Sequence, residues 1–188
     1  MPCMERRIAQ VLTSRESREI RDKALAPAAV LLLLFEREGE CHILLTKRSD
    51  KVAYHKGEIS FPGGTVDPED SDFLDTALRE GNEEIGLDSR DVTILGRLDD
   101  IFTVTTGFII TPYVGLIPHP YPFRINADEI SELIFLPLRA LAEESQVETS
   151  QVTWGGRKVG LYEFHVQGHV IWGATARILK QFMDLTYP

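Results

Sequence analysis

The sequence predicts an α/β protein, because strand-like segments fill its middle while helix-like segments lie before, within and after them. Residues 28–35 form a short unbroken apolar run, which is typical of a buried strand. Residues 41–46 return as a second strand after the polar turn 36–40, so the two segments predict a hairpin. Residues 74–85 instead repeat apolar side chains at helical spacing, which predicts an amphipathic helix between two groups of strands.

The other predicted elements follow from the same two patterns. A moderately amphipathic helix is predicted over residues 4–23, near the start of the chain. Further elements are strands at residues 92–98, 101–105, 108–116 and 129–137, a short helix at 138–142, a hairpin of 152–154 with 161–166 across Gly155 and Gly156, and a last helix at 171–184. No internal repeat or low-complexity linker divides the chain.

A proline-rich segment interrupts the strands. Pro118, Pro120 and Pro122 exclude a strand there, because proline cannot donate a backbone hydrogen bond to a ladder. The two aromatic residues in this segment, Tyr121 and Phe123, either stack on a nucleobase or simply pack against the protein.

Length and composition predict one domain, residues 1–188, with a sizeable core, since 43% of the residues are hydrophobic. The net charge of −9 argues against nucleic acid as a bulk partner, because an acidic surface repels phosphate backbones. Residues 28–35, the longest apolar run, are too short to cross a bilayer, and the first residues lack the apolar segment of a signal peptide. Cys3 and Cys41 are expected to be thiols in a reducing compartment, so a cytoplasmic location is predicted.

Three carboxylates, those of Glu80, Glu83 and Glu84, are spaced i, i+3 and i+4 in the predicted central helix, which places them on one face. Like charges at this spacing repel, so this face is either simply solvated or neutralised by a hard divalent cation. Arg79 lies four residues before Glu83 and can orient a carboxylate, and a double glycine at residues 63–64 precedes the helix. These neighbours favour the metal site.

The same stretch resembles the Nudix box, Gly-x5-Glu-x7-Arg-Glu-apolar-x-Glu-Glu-x-Gly-apolar. The positions that match as they stand are Arg79-Glu80, Glu83-Glu84, Gly86 and Leu87. Two positions depart from the pattern: the first acid is Asp70, with eight residues rather than seven between it and Arg79, and Gly81 occupies the apolar position. The resemblance assigns the box to about residues 63–87 and implies an α/β/α sandwich with a mixed central sheet.

The segment before the box is similar to the coenzyme A pyrophosphatase branch of this family, whose signature is Leu-Leu-Thr-x-Arg-Ser-x3-Arg-x3-Gly-x-apolar-Ser-Phe-Pro-Gly-Gly. Residues 44–49 and 57–64 carry the match, and the extra residue in the box is typical of the branch. Further stretches that look like the branch are residues 111–115, 126–130 and 171–177, so the resemblance runs from about residue 30 to 179. Ala53 stands where the branch has its second Arg, which puts the substrate choice or affinity in question.

The resemblance implies a metal-dependent hydrolase that cleaves coenzyme A, or an acyl or oxidised derivative, to 4′-phosphopantetheine and adenosine 3′,5′-bisphosphate. ADP-ribose or a dinucleotide such as NADH is the main alternative substrate. A Nudix-fold module that binds a nucleotide without cutting it is the alternative of another class, but a sensor has no need to keep every metal ligand. The implied partners are a small nucleotide and Mg²⁺ or Mn²⁺, and the oligomeric state is open, a homodimer included.

The resemblance also gives each acidic site residue an expected role. Glu80, Glu83 and Glu84 are the expected metal ligands. Glu80 is the first candidate for the base that takes the proton of the attacking water, and Glu129 is the second. Arg79 is expected to position a carboxylate.

The expected substrate-binding residues come before the helix. Arg48 either contacts substrate phosphate or forms a surface salt bridge, and the basic loop 47–56 around it is either solvated or a wall facing phosphate. His55 contacts a phosphate or hydrogen-bonds its own loop, and the loop role is favoured. Gly63 and Gly64 are expected to let the backbone approach the ion and the substrate closely, because they lack side chains.

Overall fold

A mixed β-sheet forms the middle layer of the protein, with helices on both of its faces. The computed structural model describes residues 5–52, 55–154 and 156–187. Its elements are α1 Glu5–Thr13, β1 Ala26–Arg37, β2 Glu40–Arg48, β3 Ile59–Ser60, β4 Gly63–Thr65, α2 Phe73–Ile85, a 3₁₀ turn Ser89–Asp91, β5 Thr93–Arg97, β6 Ile101–Phe102, β7 Phe108–Leu116, β8 Ile130–Pro137, a π turn Ala140–Glu144, β9 Gln146–Trp154, β10 Arg157–Val166, β11 His169–Ile171 and α3 Gly173–Thr186.

Strand β1 is the centre of the main sheet. It pairs antiparallel with β2 and β4 and parallel with β7, which makes the sheet mixed. β3 and β8 pair with β2, while β5 and β6 pair with β7. A separate three-stranded sheet has the order β11-β10-β9. The α/β prediction and the mixed central sheet are thus confirmed, as is the β1–β2 hairpin.

The alternation of side chains along β1 separates two hydrophobic layers, because successive strand residues point to opposite faces. One set of alternate residues joins the apolar side of α2 in one layer; this layer contains Ala29, Leu31, Leu33, Phe35, Ala77 and Ile85. The other set packs under α1 and α3 in a layer that contains Leu32, Leu34, Ile8, Leu12, Leu179 and Phe182. Each fully buried side chain of this kind stabilises the fold by roughly 1.5–3 kcal/mol.

The predicted first helix is too long. α1 ends at Thr13 instead of residue 23, and the chain then runs without regular structure to β1. Its backbone amides find partners elsewhere: Arg18 N donates to an Asp99 carboxylate oxygen at 2.9 Å, and Ile20 N to that of Asp100 at 3.0 Å. These contacts replace the hydrogen bonds that a helix would have supplied.

Three other predicted elements differ in extent. The strand predicted at residues 101–105 is limited to β6, because the chain turns back at Thr103, whose amide donates to the Phe108 carbonyl at 2.8 Å. The short helix predicted at 138–142 is the π turn Ala140–Glu144. The late hairpin exists but β9 begins earlier, at Gln146; Gly155 of its predicted turn lies outside the described residues.

The thiol expectation is wrong for Cys41, which is buried and disulfide-bonded. Cys3 lies outside the described residues. In the described part of the chain, no helix is long and apolar enough to cross a membrane.

Candidate active site

Helix α2 carries the predicted acidic face, and both of its ends are capped. At the start, the Asp72 carboxylate accepts a hydrogen bond from Asp75 N at 2.8 Å. At the end, Gly86 adopts a left-handed backbone with φ of 69°, and its N–H donates to the Asn82 carbonyl at 2.9 Å. The apolar side of the helix is buried, including Ala77 and Ile85. This orientation presents the acidic side toward the β4 loop.

Arg79 connects the acidic residues of the helix. Its Nη1 donates to Glu80 Oε1 at 3.0 Å and to Glu83 Oε2 at 3.3 Å, and its Nη2 donates to the Thr65 carbonyl at 3.1 Å. Its guanidinium also holds Asp70 through two bonds, at 2.9 and 3.1 Å. The arginine therefore fixes two glutamates of the helix relative to the loop that precedes it.

Asp70 explains the first departure from the motif. Its side chain is only 3% exposed and also accepts hydrogen bonds from Thr76 Oγ1 at 2.7 Å and Asp67 N at 2.8 Å. The hydrogen bonds from Arg79 hold the pKa of Asp70 well below its usual range. The acid at this position thus anchors Arg79. Here an aspartate does so, although it lies one residue further from Arg79 in sequence than the acid of the motif.

Glu84 is the most enclosed carboxylate of the helix, with 2% of the residue exposed. Its Oε2 accepts a long hydrogen bond of 3.4 Å from Gly63 N. Burial, together with the nearby charge of Glu80, raises the pKa of Glu84 to about 8, although the positive charge of Arg48 acts in the opposite direction. Burial likewise raises the pKa of Glu80. Two carboxylates thus share a desolvated place where a cation would stabilise them.

The two glycines before the helix serve different purposes. Gly64 lies under the Glu80 carboxylate so closely that an added Cβ would be 2.5 Å from Oε1. Gly63 has φ of +150°, and its added Cβ would be 2.3 Å from the Ala29 carbonyl oxygen. Gly64 therefore makes room for a site carboxylate, while Gly63 makes room for the neighbouring strand β1.

Arg48 and Glu129 reach the same place from two other elements. Ser49 N donates to the Glu129 carbonyl at 2.7 Å, so the end of β2 is bonded to the residue before β8. Asn126 Nδ2 donates to Glu129 Oε1 at 3.0 Å, and Asn126 N donates to the Glu84 carbonyl at 2.9 Å. The charge of Glu129 raises the pKa of both Glu80 and Glu84. The structure thus brings together Arg48, Glu80, Glu84 and Glu129.

The guanidinium of Arg48 is a cation facing carboxylates. Its Nε is buried and has no hydrogen-bond partner within the described residues. Other bases of the 47–56 loop have acidic neighbours: Lys51 Nζ lies 2.8 Å from Asp128, and Lys47 Nζ lies 4.0 Å from Glu132. Two of the basic side chains described in this loop therefore have acidic partners of their own.

His55 lies in a turn of the same loop, with its Nδ1 2.9 Å from both carboxylate oxygens of Glu58. That contact is within the loop. Ala53, where the similar branch has an Arg, lies outside the described residues.

Tyr121 and Phe123 pack against the protein. Both join the hydrophobic layer under α2, and their ring centroids are 4.8 Å apart. The Tyr121 hydroxyl accepts from Asp88 N at 2.8 Å and donates to Asp91 Oδ2 at 3.1 Å. These contacts favour the packing alternative over a nucleobase platform.

Comparison with known proteins identifies the family. A model of the NUDIX domain matches residues 25–155. An uncharacterized Nudix hydrolase, NudL, from Yersinia enterocolitica is 37% identical over 82% of this chain and 78% of the relative, and NudL from Photorhabdus laumondii is 35% identical over 82% and 81%. The chain belongs to the Nudix family. It is a Nudix hydrolase, an enzyme that acts on nucleoside diphosphate-linked compounds.

Solved Nudix structures share the fold. A MutT/nudix family protein from Enterococcus faecalis superposes with a TM-score of 0.57 at 15% identity, over 92% of this chain and 65% of that one. An Ap4A hydrolase from C. elegans gives 0.53 at 21% identity, over 61% and 82%.

Nudix hydrolases generally use divalent metal ions, and the acidic helix offers suitable donors. Glu80 and Glu84 are carboxylates in a desolvated setting, and hard cations prefer oxygen ligands. Glu83 is more open, with its side chain 52% exposed. In the described chain, the group with three ligand atoms within 4.8 Å of one another is a different one, Glu148, Glu163 and His165. Arg79 donates to Glu80 and Glu83, whereas Glu84 accepts from Gly63 N.

Two structural roles were not apparent from the Nudix motif. The motif marks position 70 only as an acid, and its anchoring of Arg79 appears only in the contacts. Asn126 belongs to a stretch that resembles the family, but its link between Glu84 and Glu129 joins segments far apart in sequence.

Proposed function

We propose that this Nudix hydrolase cleaves the diphosphate of coenzyme A, or of an acyl or oxidised derivative, to give 4′-phosphopantetheine and adenosine 3′,5′-bisphosphate. The observation that carries the proposal is the position of Arg48. It belongs to the segment that resembles the coenzyme A pyrophosphatase branch, and its charge acts directly on Glu84 of the Nudix helix. A diphosphate held between Arg48 and the acidic helix would therefore lie beside the catalytic carboxylates.

The negative diphosphate of the substrate and the three negative glutamates of the helix repel one another. This repulsion must be reduced before the substrate can bind and react. When bound, Mg²⁺ or Mn²⁺ neutralises phosphate charge and lowers the pKa of a bound water. Glu80, Glu83 and Glu84 are the residues we propose to hold the ion. Arg79 keeps Glu80 and Glu83 in place during the reaction, through the bonds described above.

Two glutamates are candidates for the base that takes the proton of the attacking water. Glu80 lies over Gly64, and one of its oxygens accepts from Arg79. Glu129 Oε1 accepts a hydrogen bond from Asn126 Nδ2. If Glu129 is the base, we therefore assign the proton transfer to its other oxygen, Oε2. Either base can contribute on the order of 10²-fold or more to the rate.

The direct test is a substrate panel. The protein is incubated with coenzyme A species, ADP-ribose, NADH and nucleoside triphosphates, with Mg²⁺ or Mn²⁺ or with excess chelator, and products are identified by mass. We expect the two named products from coenzyme A, no turnover in chelator, and recovery when metal is restored. Much faster cleavage of ADP-ribose or NADH would contradict the coenzyme A assignment, and full turnover in chelator would contradict the metal site.

Three variants separate the roles of the carboxylates. Glu80→Gln and Glu84→Gln should each lower kcat by at least about 10²-fold while the protein still folds. Glu129→Gln decides between the bases: an equal loss there, with metal affinity unchanged, assigns the base to Glu129. Rates near wild type in both helix variants would contradict the proposed site.

The alternative substrate class is ADP-ribose or a dinucleotide, and Ala53 is the residue that favours it. If the missing Arg normally contacts the nucleotide equally in ground and transition states, its loss appears in KM rather than kcat. Ala53→Arg should then lower KM for coenzyme A and change that for ADP-ribose less. No change in either KM, together with faster cleavage of ADP-ribose by the wild type, would support the alternative.

We also propose that the enzyme is cytoplasmic, as suits a coenzyme A substrate, and that a small nucleotide rather than nucleic acid is its partner. The expectation that both cysteines are reduced thiols does not support this location, since Cys41 is disulfide-bonded. Cell fractionation tests the location, and light scattering tests whether the enzyme is a homodimer.

A further inference from the structure

The three-stranded sheet borders a recess. This recess is a cavity of about 510 Å³ between the three-stranded sheet, the start of α3 and the loop after β6. This volume is within the range of small-molecule pockets. The residues that line it include Thr105, Val152, Leu161, Trp172, Ala174 and Arg177.

The cavity adjoins the proposed phosphate-binding Arg48 through the chain itself. His55 and Glu58 line the cavity, and their turn is bonded to Arg48 in both directions. Arg48 N donates to the Glu58 carbonyl at 2.9 Å, and Gly57 N donates to the Arg48 carbonyl at 3.2 Å. The turn that forms this part of the cavity wall is therefore hydrogen-bonded to the backbone of the residue that we propose to bind phosphate.

The charges of the cavity wall disfavour an anionic guest. Three carboxylates line it, those of Glu58, Glu148 and Glu163. Arg177, a lining cation, is already engaged: its Nη1 donates to the Phe102 carbonyl at 2.5 Å, and its guanidinium lies 5.1 Å from the Phe102 ring centroid. A phosphate placed here would meet like charge with little compensation.

The rest of the wall suits an uncharged chain of mixed polarity. Val152, Leu161 and Trp172 supply apolar surface, and Trp172 is 49% exposed although it is large and apolar. The hydroxyl-bearing residues Thr106 and Ser150 also line the cavity and can pair with amide groups.

Of the two ends of coenzyme A, only one fits this description. The adenosine end carries a 3′-phosphate, whereas the pantetheine arm is uncharged and contains two amides, a dimethyl-substituted carbon and a terminal thiol. We infer that this cavity binds the pantetheine arm of the substrate, so that Arg48 and the Nudix helix receive the diphosphate at its mouth. The inference rests on the proposed function and adds the subsite that distinguishes coenzyme A from ADP-ribose.

The binding test uses pantetheine itself and does not require turnover. The chain has two tryptophans, and both report on this region, since Trp172 lines the cavity and Trp154 stacks on Phe102 with 4.6 Å between ring centroids. Pantetheine up to about 10 mM should change tryptophan fluorescence saturably, and adenosine 3′,5′-bisphosphate should not compete for this site. No saturable change with pantetheine, or displacement by the bisphosphate, overturns the inference.

A matched pair of variants on β9 tests the same cavity kinetically. Val152 lines it, whereas Val147 on the same strand is 38% exposed and outside it. Val152→Phe should weaken pantetheine binding and raise KM for coenzyme A by roughly tenfold with kcat retained, and leave KM for ADP-ribose within about twofold. Val147→Phe should change none of these values.

The outcomes separate this inference from the proposed function. An unchanged KM for coenzyme A in Val152→Phe, or an equal rise for ADP-ribose, overturns the pantetheine subsite while coenzyme A cleavage stands. If the wild type cleaves no coenzyme A, the proposed function fails, and the pantetheine titration alone decides whether the cavity binds the arm. Should Val152→Phe not fold, Thr105→Phe is the replacement, with the same expected results, because Thr105 is exposed in the loop after β6 and also lines the cavity.

Discussion

Gly64→Ala should impair catalysis without unfolding the protein, because the added methyl group meets a site carboxylate and not the backbone. The new Cβ would lie 2.5 Å from Glu80 Oε1, whereas ordinary contacts begin at 3.4 Å. The carboxylate must therefore retreat by about 0.9 Å, and misplacement of a catalytic group by about 1 Å can cost on the order of 10²-fold in rate. Stability should change by less than about 1 kcal/mol, since the end of a flexible side chain can move and alanine suits a strand better than glycine.

Gly63→Ala is the comparison that makes this result interpretable. Its Cβ would be 2.3 Å from the Ala29 carbonyl oxygen and 2.6 Å from Val30 Cα, at a φ that L-residues rarely adopt. Backbone atoms of a central strand cannot move aside, so this variant should lose at least about 2 kcal/mol of stability. Neighbouring glycines with the same substitution should thus fail in different ways.

The assay measures kcat on the substrate that the wild type cleaves fastest, metal affinity by titration, and thermal unfolding of both variants. We expect Gly64→Ala to show a loss of about 10²-fold in kcat at a melting temperature near that of wild type. A kcat within about threefold of wild type, at full metal saturation, would refute the reasoning that catalysis requires the Glu80 carboxylate in its present position next to Gly64.

Three further predictions concern Glu84, Asp70 and Arg79. In chelator, the contribution of Glu84 to stability should fall as pH rises from its ordinary pKa of 4.5 to about 8, because the folded state keeps a proton there that the unfolded state releases. The loss over that whole range is on the order of 5 kcal/mol. Denaturant titrations from pH 5 to 8 should show a flatter profile for Glu84→Gln, and an identical profile in both proteins would contradict this prediction. Asp70→Asn should cost about 2 kcal/mol of stability and lower kcat, since it removes the anchor of Arg79. The wild type should lose stability below about pH 4, because the pKa of Asp70 is lowered in the folded state, and Asp70→Asn should lack this loss. An acid-unfolding profile of Asp70→Asn like that of the wild type would contradict the prediction. Arg79→Lys should lower kcat by about tenfold or more despite the retained charge, because lysine cannot make the forked contacts; equal kcat in steady-state assays would show that charge alone suffices.

Local patterns were sufficient where an element is stabilised by its own periodicity. The apolar run of β1, the β1–β2 hairpin and the amphipathic pattern of α2 all identified elements that the structure contains. The first helix was predicted too long because residues beyond Thr13 bond to Asp99 and Asp100, which are distant in sequence. The pattern of residues within one segment cannot predict hydrogen bonds to residues that are distant in sequence.

The candidate site divides in the same way. Spacing alone places Glu80, Glu83 and Glu84 on one face, so the sequence was enough to find the acidic helix. It could not reveal that Asp70 anchors Arg79 or that Asn126 joins two carboxylate-bearing segments. The cavity was even less accessible, because its walls come from separate parts of the chain that meet only after folding.

The end of α2 is hydrogen-bonded to the segment that leads to Glu129. A helix leaves its last carbonyls without partners inside the helix, and here Arg124 N and Asn126 N fill two of them, on Ile85 and Glu84. The segment before Glu129 is thus held by backbone hydrogen bonds to the last turn of the helix, although it has no regular structure of its own. Fraying of that helix end would release both segments at once, so the carboxylates on either side form one cooperative unit of local unfolding.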